Sequence, residues 1–551
     1  MKQAISVMYN LTEQGGGITR VSLARTQALA KAGVKARIAV LSSDDKLDKT
    51  FENLVAQGRI SSDTQVVNYQ RWFARKAAGL LDSGEVNTLD HLRVKVRKRV
   101  DHVNGLGLKI VRYLTVDNVV FMEEFLDHKD VIVAVIISIP GNPVLKFNSI
   151  QSAHAYWLKQ LSEECLPAFL ISDALQGADT VCKVEGSRIH RLLMIHSHHL
   201  QKPYTVGSTL APKYEGVVRG LPVCERVVVL TEAQRRDLKE QFASDKYACI
   251  GNPVVLDDTS SPVDRDPNLA VVVARLHVIK RIKNIIRAFA KVIAEKKDAR
   301  LEIWGSGEQQ QELQDEIEKL GLSSSIMLMG FATDVSKIFR RASVSLAMSH
   351  TEGFGVSFAE SLAYGTPLVS LDTKYGPGEI ITNEVDGFIV YSERDFVERT
   401  LQLLSDPDLV REMGERGALN MSRFSTESIT KKWLDLFDEV DSEGVVAQVA
   451  RDHDCFAFKN SVASKFGWVY LPEATEEQAN AIYKTASRVY VRGVDSSKQF
   501  LGEPTGIEAG SFEVDEMVFD APKGVYRFRL MKDGLTFKGV IAASAIECCI
   551  Y

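Results

Sequence analysis

The stretch MKQAISVMYNLTEQGGGITRVSLARTQALAKAGVKARIAVL, residues 1–41, decides the fold. Gln3–Tyr9 mixes apolar and polar residues as a strand does, and Gly15-Gly16-Gly17 ends it in a turn. Val21, Ala24, Ala28 and Ala32 then recur on one face at helical spacing until Gly33, and Lys35–Leu41 reads as a second strand. Strand, glycine turn, helix and strand make one βαβ unit. Such a unit implies an α/β protein whose parallel sheet carries helices on both faces.

From about 50 to 165 the rhythm changes. Thr64–Tyr69, Leu92–Val100, Lys109–Val116, Val119–Phe125 and Val131–Ile139 read as successive strands with no long helical pattern between them, an antiparallel β insertion. The βαβ pattern returns with Ala168–Asp173, Leu192–His196, Arg226–Leu230 and the helix Glu232–Phe242. Asn252 to Pro267 (NPVVLDDTSSPVDRDP) is a linker, and a second α/β domain follows it. Its strands are expected at Leu269–Ala274, Ala299–Trp304, Ile326–Gly330, Ser343–Met348 and Pro367–Leu371, with helices running through Val440. After about 444, SRVYVRGV, SFEVDEMVF, VYRFRLM and FKGVIAASAIECCIY are β-rich. The expected organisation is therefore residues 1–50 with 165–251, an insertion at 51–164, a second α/β domain at 252–440 and an appended β domain at 444–551, whose role the sequence does not disclose.

A chain of 551 residues is too long for one hydrophobic core. With 45% hydrophobic and 25% charged residues it reads as an ordinary folded protein, not a disordered, collagenous or disulfide-built one. The net charge of −5 provides no global basic field for nucleic acid. Seven cysteines without a CxxC pair suggest a reduced, cytoplasmic protein. The longest apolar run, Val131–Ile139, is far short of the roughly 20 residues of a membrane helix.

Three motifs carry chemistry. The GGG turn lets backbone amides approach a diphosphate at a positive helix end, although such a turn also serves as a plain tight connection, and its spacing is not GxGxxG. In VVVARLHVIKRIKN, Arg275 and Lys280 follow a strand, where open α/β sheets bind ligands; two fixed cations there could neutralise a diphosphate, or simply form a solvated basic turn. The most specific signal is SHTEGFGVSFAESLAYGTPLVS, residues 349–370. Glu352 sits in a glycine-punctuated loop, Glu360 lies near the start of a helix, and the amides of Gly353 through Ser357 suit hydroxyls and phosphate oxygens. The competing reading is a pair of helix-capping acids. HSHH at 196–199 reads as a donor- or acceptor-side contact through His196, as a metal site, or as a polar loop.

EGFGVSFAE, RLHVIK and the GGG turn together resemble the retaining GT-B glycosyltransferases of family four. KYGPGEIITNEVDGFIV at 374–390, IHSHHL at 195–200 and the interrupted first domain resemble the wall-teichoic-acid branch of that family. Residues after 444 lie outside the resemblance. It implies two Rossmann-like domains facing a cleft, a UDP-sugar co-substrate and no metal. Carried over, Gly16 and Gly17 would contact the diphosphate or leave room for the acceptor, and Arg275 and Lys280 would hold the diphosphate. Glu352 would bind donor-sugar hydroxyls beside the Phe354, Gly355 and Val356 amides, with Ser357 following them. Glu360 would bind the ribose, the Phe331 backbone would meet uracil, and His196 would reach the sugar near the reacting carbon.

The resemblance implies hexose transfer, of glucose or N-acetylglucosamine, to an anionic polyol-phosphate polymer or glycan. Transfer to serine-rich adhesins and a non-catalytic recognition subunit are the alternatives. RVKVRKR at 93–99 could present a basic face to a polyanion or guard a strand edge against aggregation. A homo-oligomer through the insertion, a peripheral place at the inner membrane face and no nucleic-acid partner complete the expectations.

Overall fold

The computed structural model describes residues 1–13, 17–80, 88–103, 108–173, 177–205, 207–256, 264–332, 334–452, 499–500, 512–520, 525–532 and 535–542. In it Gln3–Met8 is buried along its whole length, as a strand inside a helix-covered parallel sheet must be. Its sheet has seven parallel strands in the order Tyr247–Cys249, Arg226–Val229, Ile189–Ile195, Ala168–Ser172, Gln3–Met8, Lys35–Val40 and Gln65–Asn68. The second lobe has six parallel strands, in the order Ile326–Gly330, Arg300–Trp304, Asp266–Val273, Ala342–Ala347, Leu368–Leu371 and Gly387–Val390.

The insertion is smaller than the sequence suggested. Gln65–Asn68 pairs in parallel with Lys35–Val40 and is the edge strand of the first sheet. Two helices flank it. Leu47–Ala56 buries Leu47, Thr50, Phe51 and Leu54, an i, i+3, i+4, i+7 stripe that the strand reading overlooked. Tyr69–Ala77 starts where the Asn68 side chain accepts a hydrogen bond from the Arg71 amide. Thr88–Leu92 is also helical. The antiparallel sheet itself comprises Arg97–Val103, Leu108–Leu114, Val120–Leu126, Ile132–Ile137 and Leu145–Phe147.

The last helix, Thr426–Asp452, does not stay with the second lobe. It crosses back to close the first: Phe437 stacks on Phe169 at 4.1 Å, Arg25 lies over the Trp433 ring, and Lys2 pairs with Asp438. Helical periodicity identifies the helix but carries no information about which layer it covers. One hydrophobic cluster accordingly runs from Phe169 and Ile171 through Trp433 and Phe437 to Phe354 and Phe358 of the second lobe. The two crossings of the chain between lobes lie side by side, the Val254 amide donating to the Phe424 carbonyl at 2.9 Å.

Beyond residue 452, Gln499–Phe500, Phe512–Asp520, Val525–Lys532 and Leu535–Ala542 form a separate four-stranded antiparallel sheet. The SRVYVRGV segment falls outside the described residues, as do Gly15 and Gly16.

Candidate active site

Each parallel sheet reverses its winding once, between Gln3–Met8 and Ala168–Ser172 in the first lobe and between Asp266–Val273 and Ala342–Ala347 in the second. At such a reversal the loops leaving neighbouring strands diverge and open a crevice beyond the carboxyl ends. Arg275 and Lys280 leave Asp266–Val273, and Glu352 leaves Ala342–Ala347.

The His277 ring accepts from the Ile279 amide and starts the short turn Val278–Lys280 that aims Lys280 inward. Its Nζ lies 2.5 Å from Glu352 Oε1, which also accepts from Ser349 Oγ at 2.7 Å. Both side chains line a small cavity with Ala274, Ser345, Ser357 and Phe358. Arg275 is exposed and, among the described residues, has no acid within ion-pair distance. Gly305 and Gly307 in the neighbouring loop pack backbone on backbone: a Cβ there would stand 1.9 Å from the Ala274 carbonyl oxygen and 2.3 Å from that of Leu276.

The Glu352 loop is stitched to the 374–376 loop: the Glu352 amide donates to the Lys374 carbonyl at 3.0 Å, and the Tyr375 amide to the Glu352 carbonyl at 2.8 Å. Gly353 meets the first lobe so closely that a Cβ would lie 2.2 Å from the His196 carbonyl oxygen. Gly355, at φ +91°, caps the helix Val356–Ala363. The first amides of that helix, on Val356 and Ser357, have no intrahelical acceptor. The Phe354 ring is core, packed edge-on to Phe424 at 5.1 Å, so only its backbone serves the loop. One turn on, Glu360 pairs with Arg20 of the first lobe at 2.8 Å. Burial raises the Glu360 pKa, and Arg20 offsets part of that rise. Phe331, just past Ile326–Gly330, is 71% exposed.

On the first lobe, Gly17 opens the helix Gly17–Lys31 with free space where a side chain would be. His196, at the end of Ile189–Ile195, places Nε2 2.9 Å from Asp173 Oδ1. Asp173 is held in turn by the Arg25 guanidinium, which also donates to Ser6 Oγ at 2.9 Å. Burial alone would raise the Asp173 pKa; Arg25 and the His196 hydrogen bond outweigh it and hold the carboxyl well below the usual carboxylate range. Ser197 follows, its Oγ 2.6 Å from Tyr214 Oη and 2.7 Å from Lys213 Nζ. His198 and His199 stack against Tyr375, and burial lowers both to a pKa of about 4. Tyr375 Oη and Lys374 Nζ both reach Asp237 of the first lobe, at 2.9 and 2.6 Å. Among the described residues no group of three or more His, Cys, Asp or Glu side chains could hold a metal ion.

The structure thus joins Lys280 to Glu352 and brings the Glu352 loop against His196. Glu360 meets the first lobe through Arg20, and Arg275 stands exposed in the loop that carries Lys280. Sequence reading missed Arg20, Arg25, Asp173 and Lys213. Arg25 shares the buried face of its helix with Val21, Ala28 and Leu29, and its place four residues after Val21 was the legible signal. The WGSG segment at 304–307 did offer a legible signal, a glycine pair directly after a strand.

Residues 257–419 match the family model for glycosyl transferases group 1. This chain carries a group 1 glycosyltransferase domain. The enzyme is 22% identical to the poly(ribitol-phosphate) alpha-N-acetylglucosaminyltransferase of Staphylococcus aureus, over 80% of this chain and 100% of that protein. It is 24% identical to the poly(glycerol-phosphate) alpha-glucosyltransferase of Bacillus subtilis, over 58% of this chain and 49% of that protein, so it spans about half the latter's length. Among solved structures it resembles S. aureus TarM (TM-score 0.64, 21% identity, 79% of this chain and 99% of that one). It also resembles the pneumococcal O-GlcNAc transferase GtfA bound to UDP and GlcNAc (0.60, 18%, 80% and 99%). The fold of the glycosyltransferase is GT-B, two Rossmann-like lobes with an antiparallel insertion in the first.

Proposed function

We propose that this glycosyltransferase moves glucose or N-acetylglucosamine from a UDP-sugar to a polyol-phosphate wall polymer, with retention at the anomeric carbon. The observation that carries the reading is the meeting of lobes at Gly353 and His196, which sets the Lys280–Glu352 pair facing the first lobe at the sheet reversals. The polyol-phosphate relatives support the acceptor class.

In this reading negative charge develops on the departing UDP oxygen and positive charge on the anomeric carbon. Arg275, Lys280 and the amides of Val356 and Ser357 stabilise the first, preorganised before the bond breaks. Glu352, with the Phe354, Gly355 and Val356 backbone, holds the sugar hydroxyls, and Glu360 holds the ribose. Gly17 leaves room at the first-lobe helix end for the diphosphate or the acceptor, Gly16 before it lies outside the described residues, Phe331 meets the base, and His196 reaches the sugar. The acceptor hydroxyl attacks from the face the phosphate leaves, and that phosphate accepts the proton, so no covalent intermediate is invoked. Closure of the lobes excludes water.

The lobes, expected at 1–50 with 165–251 on the acceptor side and 252–440 on the donor side around an insertion at 51–164, are redrawn accordingly: Gln65–Asn68 and Thr426–Asp452 go with the acceptor side, the insertion narrows to the antiparallel sheet at 97–147, and the residues after 452 keep no assigned role. No helix among the described residues is long and apolar enough to cross a membrane, and we place the enzyme in the cytoplasm, where UDP-sugars are made. The insertion is a candidate surface for association of copies. The RVKVRKR segment, which enters the strand Arg97–Val103 only with its last three residues, is less suited to a polyanion than its charge suggests, because Arg93 pairs with Glu52, Lys98 with Asp45 and Arg99 with Asp101.

The test is UDP release with UDP-glucose and UDP-N-acetylglucosamine, each offered poly(glycerol phosphate), poly(ribitol phosphate) or a serine-rich peptide. Turnover on a polyol phosphate is expected. Turnover on the peptide alone would move the acceptor assignment to protein O-glycosylation.

A further inference from the structure

Asp237, on the first-lobe helix Glu232–Phe242, grips the second lobe. Its Oδ2 lies 2.6 Å from Lys374 Nζ and accepts a hydrogen bond from Tyr375 Oη at 2.9 Å. The Tyr375 ring is buried and stacks on His198 of the first lobe at 4.8 Å, with His199 nearly parallel to it at 6.0 Å. At the start of the same helix the Glu232 amide donates to the Glu379 carboxylate at 3.0 Å. One first-lobe helix therefore holds the 374–379 segment at both of its ends.

The segment so held also braces Glu352. Two backbone hydrogen bonds join Lys374 and Tyr375 to Glu352, and Thr373 Oγ1 donates to the Ser349 carbonyl at 2.8 Å. A Cβ on Gly376 would stand 2.0 Å from the Phe354 carbonyl oxygen, so the two loops pack backbone on backbone and one cannot shift without displacing the other.

We propose that Asp237 is a positioning residue for the donor sugar: by holding Lys374 and Tyr375 it fixes the Glu352 loop against the first lobe. The inference rests on the glycosyl-transfer reading, in which Glu352 binds sugar hydroxyls, and adds to it the first-lobe group that aims Glu352. A carboxylate shared by an ammonium and a buried phenol makes charge-assisted bonds, which are shorter and stronger than neutral ones. Tyr375 passes that restraint on through its own amide, which donates to the Glu352 carbonyl. UDP without its sugar is held elsewhere in this reading, by Arg275, Lys280 and Glu360. Sugar transfer and UDP binding therefore respond differently to the loss of Asp237.

The test uses the full-length chain with Asp237→Ala, Asp237→Glu, Tyr375→Phe and the double variant Asp237→Ala with Tyr375→Phe. Calorimetry reads UDP affinity, and UDP release gives kcat and KM for the UDP-sugar. Asp237→Ala should lower donor kcat/KM at least about tenfold, since a misplacement of about 1 Å costs on the order of a hundredfold, while UDP affinity stays within about twofold of the parent. Tyr375→Phe leaves the ring in its stack and should lose activity in the same direction. The double variant should lose no more than Asp237→Ala alone, because both substitutions open one contact. Asp237→Glu keeps the charged acceptor and should restore most of the loss. Donor kcat/KM within about twofold of the parent in Asp237→Ala overturns the proposal. So do losses that multiply in the double variant, an equal fall in UDP affinity, or an Asp237→Glu no better than Asp237→Ala. A parent chain that neither binds UDP nor releases it from a UDP-sugar refutes the transfer reading instead. Amide hydrogen exchange then decides the positioning alone: faster exchange at Glu352 and Tyr375 in Asp237→Ala than in the parent supports it, and equal exchange overturns it.

Discussion

Replacing Asp173 by Asn tests the first-lobe half of the site. The Asp173 and Arg25 side chains are 1% and 2% exposed, and the Arg25 guanidinium also lies against the Trp433 ring of the returning helix. The amide keeps the shape but removes the charge, leaving Arg25 buried and uncompensated, a loss of about 3–5 kcal/mol for breaking one side of a buried pair. For a lobe of this size, roughly 2–4 °C per kcal/mol gives a fall of about 10 °C in the unfolding midpoint. The amide keeps one acceptor oxygen, for which His196 and Arg25 then compete, and misplacement of the His196 ring costs on the order of a hundredfold in kcat/KM. Scanning calorimetry and initial rates of UDP release measure the two effects. The pH dependence has a definite sign. The folded-state pKa of Asp173 is depressed, so its contribution is present above the ordinary carboxylate pKa and is lost as pH falls through the depressed value. Asp173→Asn should therefore flatten the acid limb of the stability profile. A midpoint within about 2 °C of the parent, with an unchanged acid limb, would refute this account.

Lys280→Ala should lower kcat for UDP-sugar by about a hundredfold or more, the usual cost of one preorganised charge-stabilising group, and near-normal turnover would remove Lys280 from the site. In the proposed reading Glu360 holds the ribose as a carboxylate, and burial raises its pKa, so donor KM should rise on the acid side at a higher pH than for an exposed glutamate. Glu360→Gln should abolish that limb. Gly353→Ala puts a methyl against the His196 carbonyl, so kcat should fall at least tenfold while the midpoint moves little, because the clash lies between lobes and not within a core. Raising salt from 50 to 300 mM should change polymer KM as much in an Arg93, Lys98 and Arg99 triple glutamine variant as in the parent, since those cations are already paired; a smaller change in the variant would mean that they meet the polymer.

Much of this molecule was legible in its sequence. The first βαβ unit, the second α/β domain and the Glu352 and Lys280 loops depend on local periodicity and glycine placement, which neighbouring residues fix. The errors share a cause. Leu47–Ala56 and Tyr69–Ala77 are short helices whose stripes hold only three or four apolar residues, and polar neighbours masked them. Thr426–Asp452 was visible as a helix, but its partner lies some 260 residues earlier, at Phe169. The same holds at the site. The acids and cations of the second lobe announce themselves by motif, whereas Asp173, Arg25 and Arg20 matter through partners distant in sequence.

The returning helix also decides how this enzyme can be taken apart. Cutting the chain at the linker near residue 256 would strip Phe169 of its Phe437 lid and Arg25 of Trp433, so an isolated first lobe must be expressed with 426–452 grafted on or supplied in trans. Because Val254 and Phe424 are hydrogen-bonded neighbours, the polypeptide passes from one half to the other through a single seam of two threads.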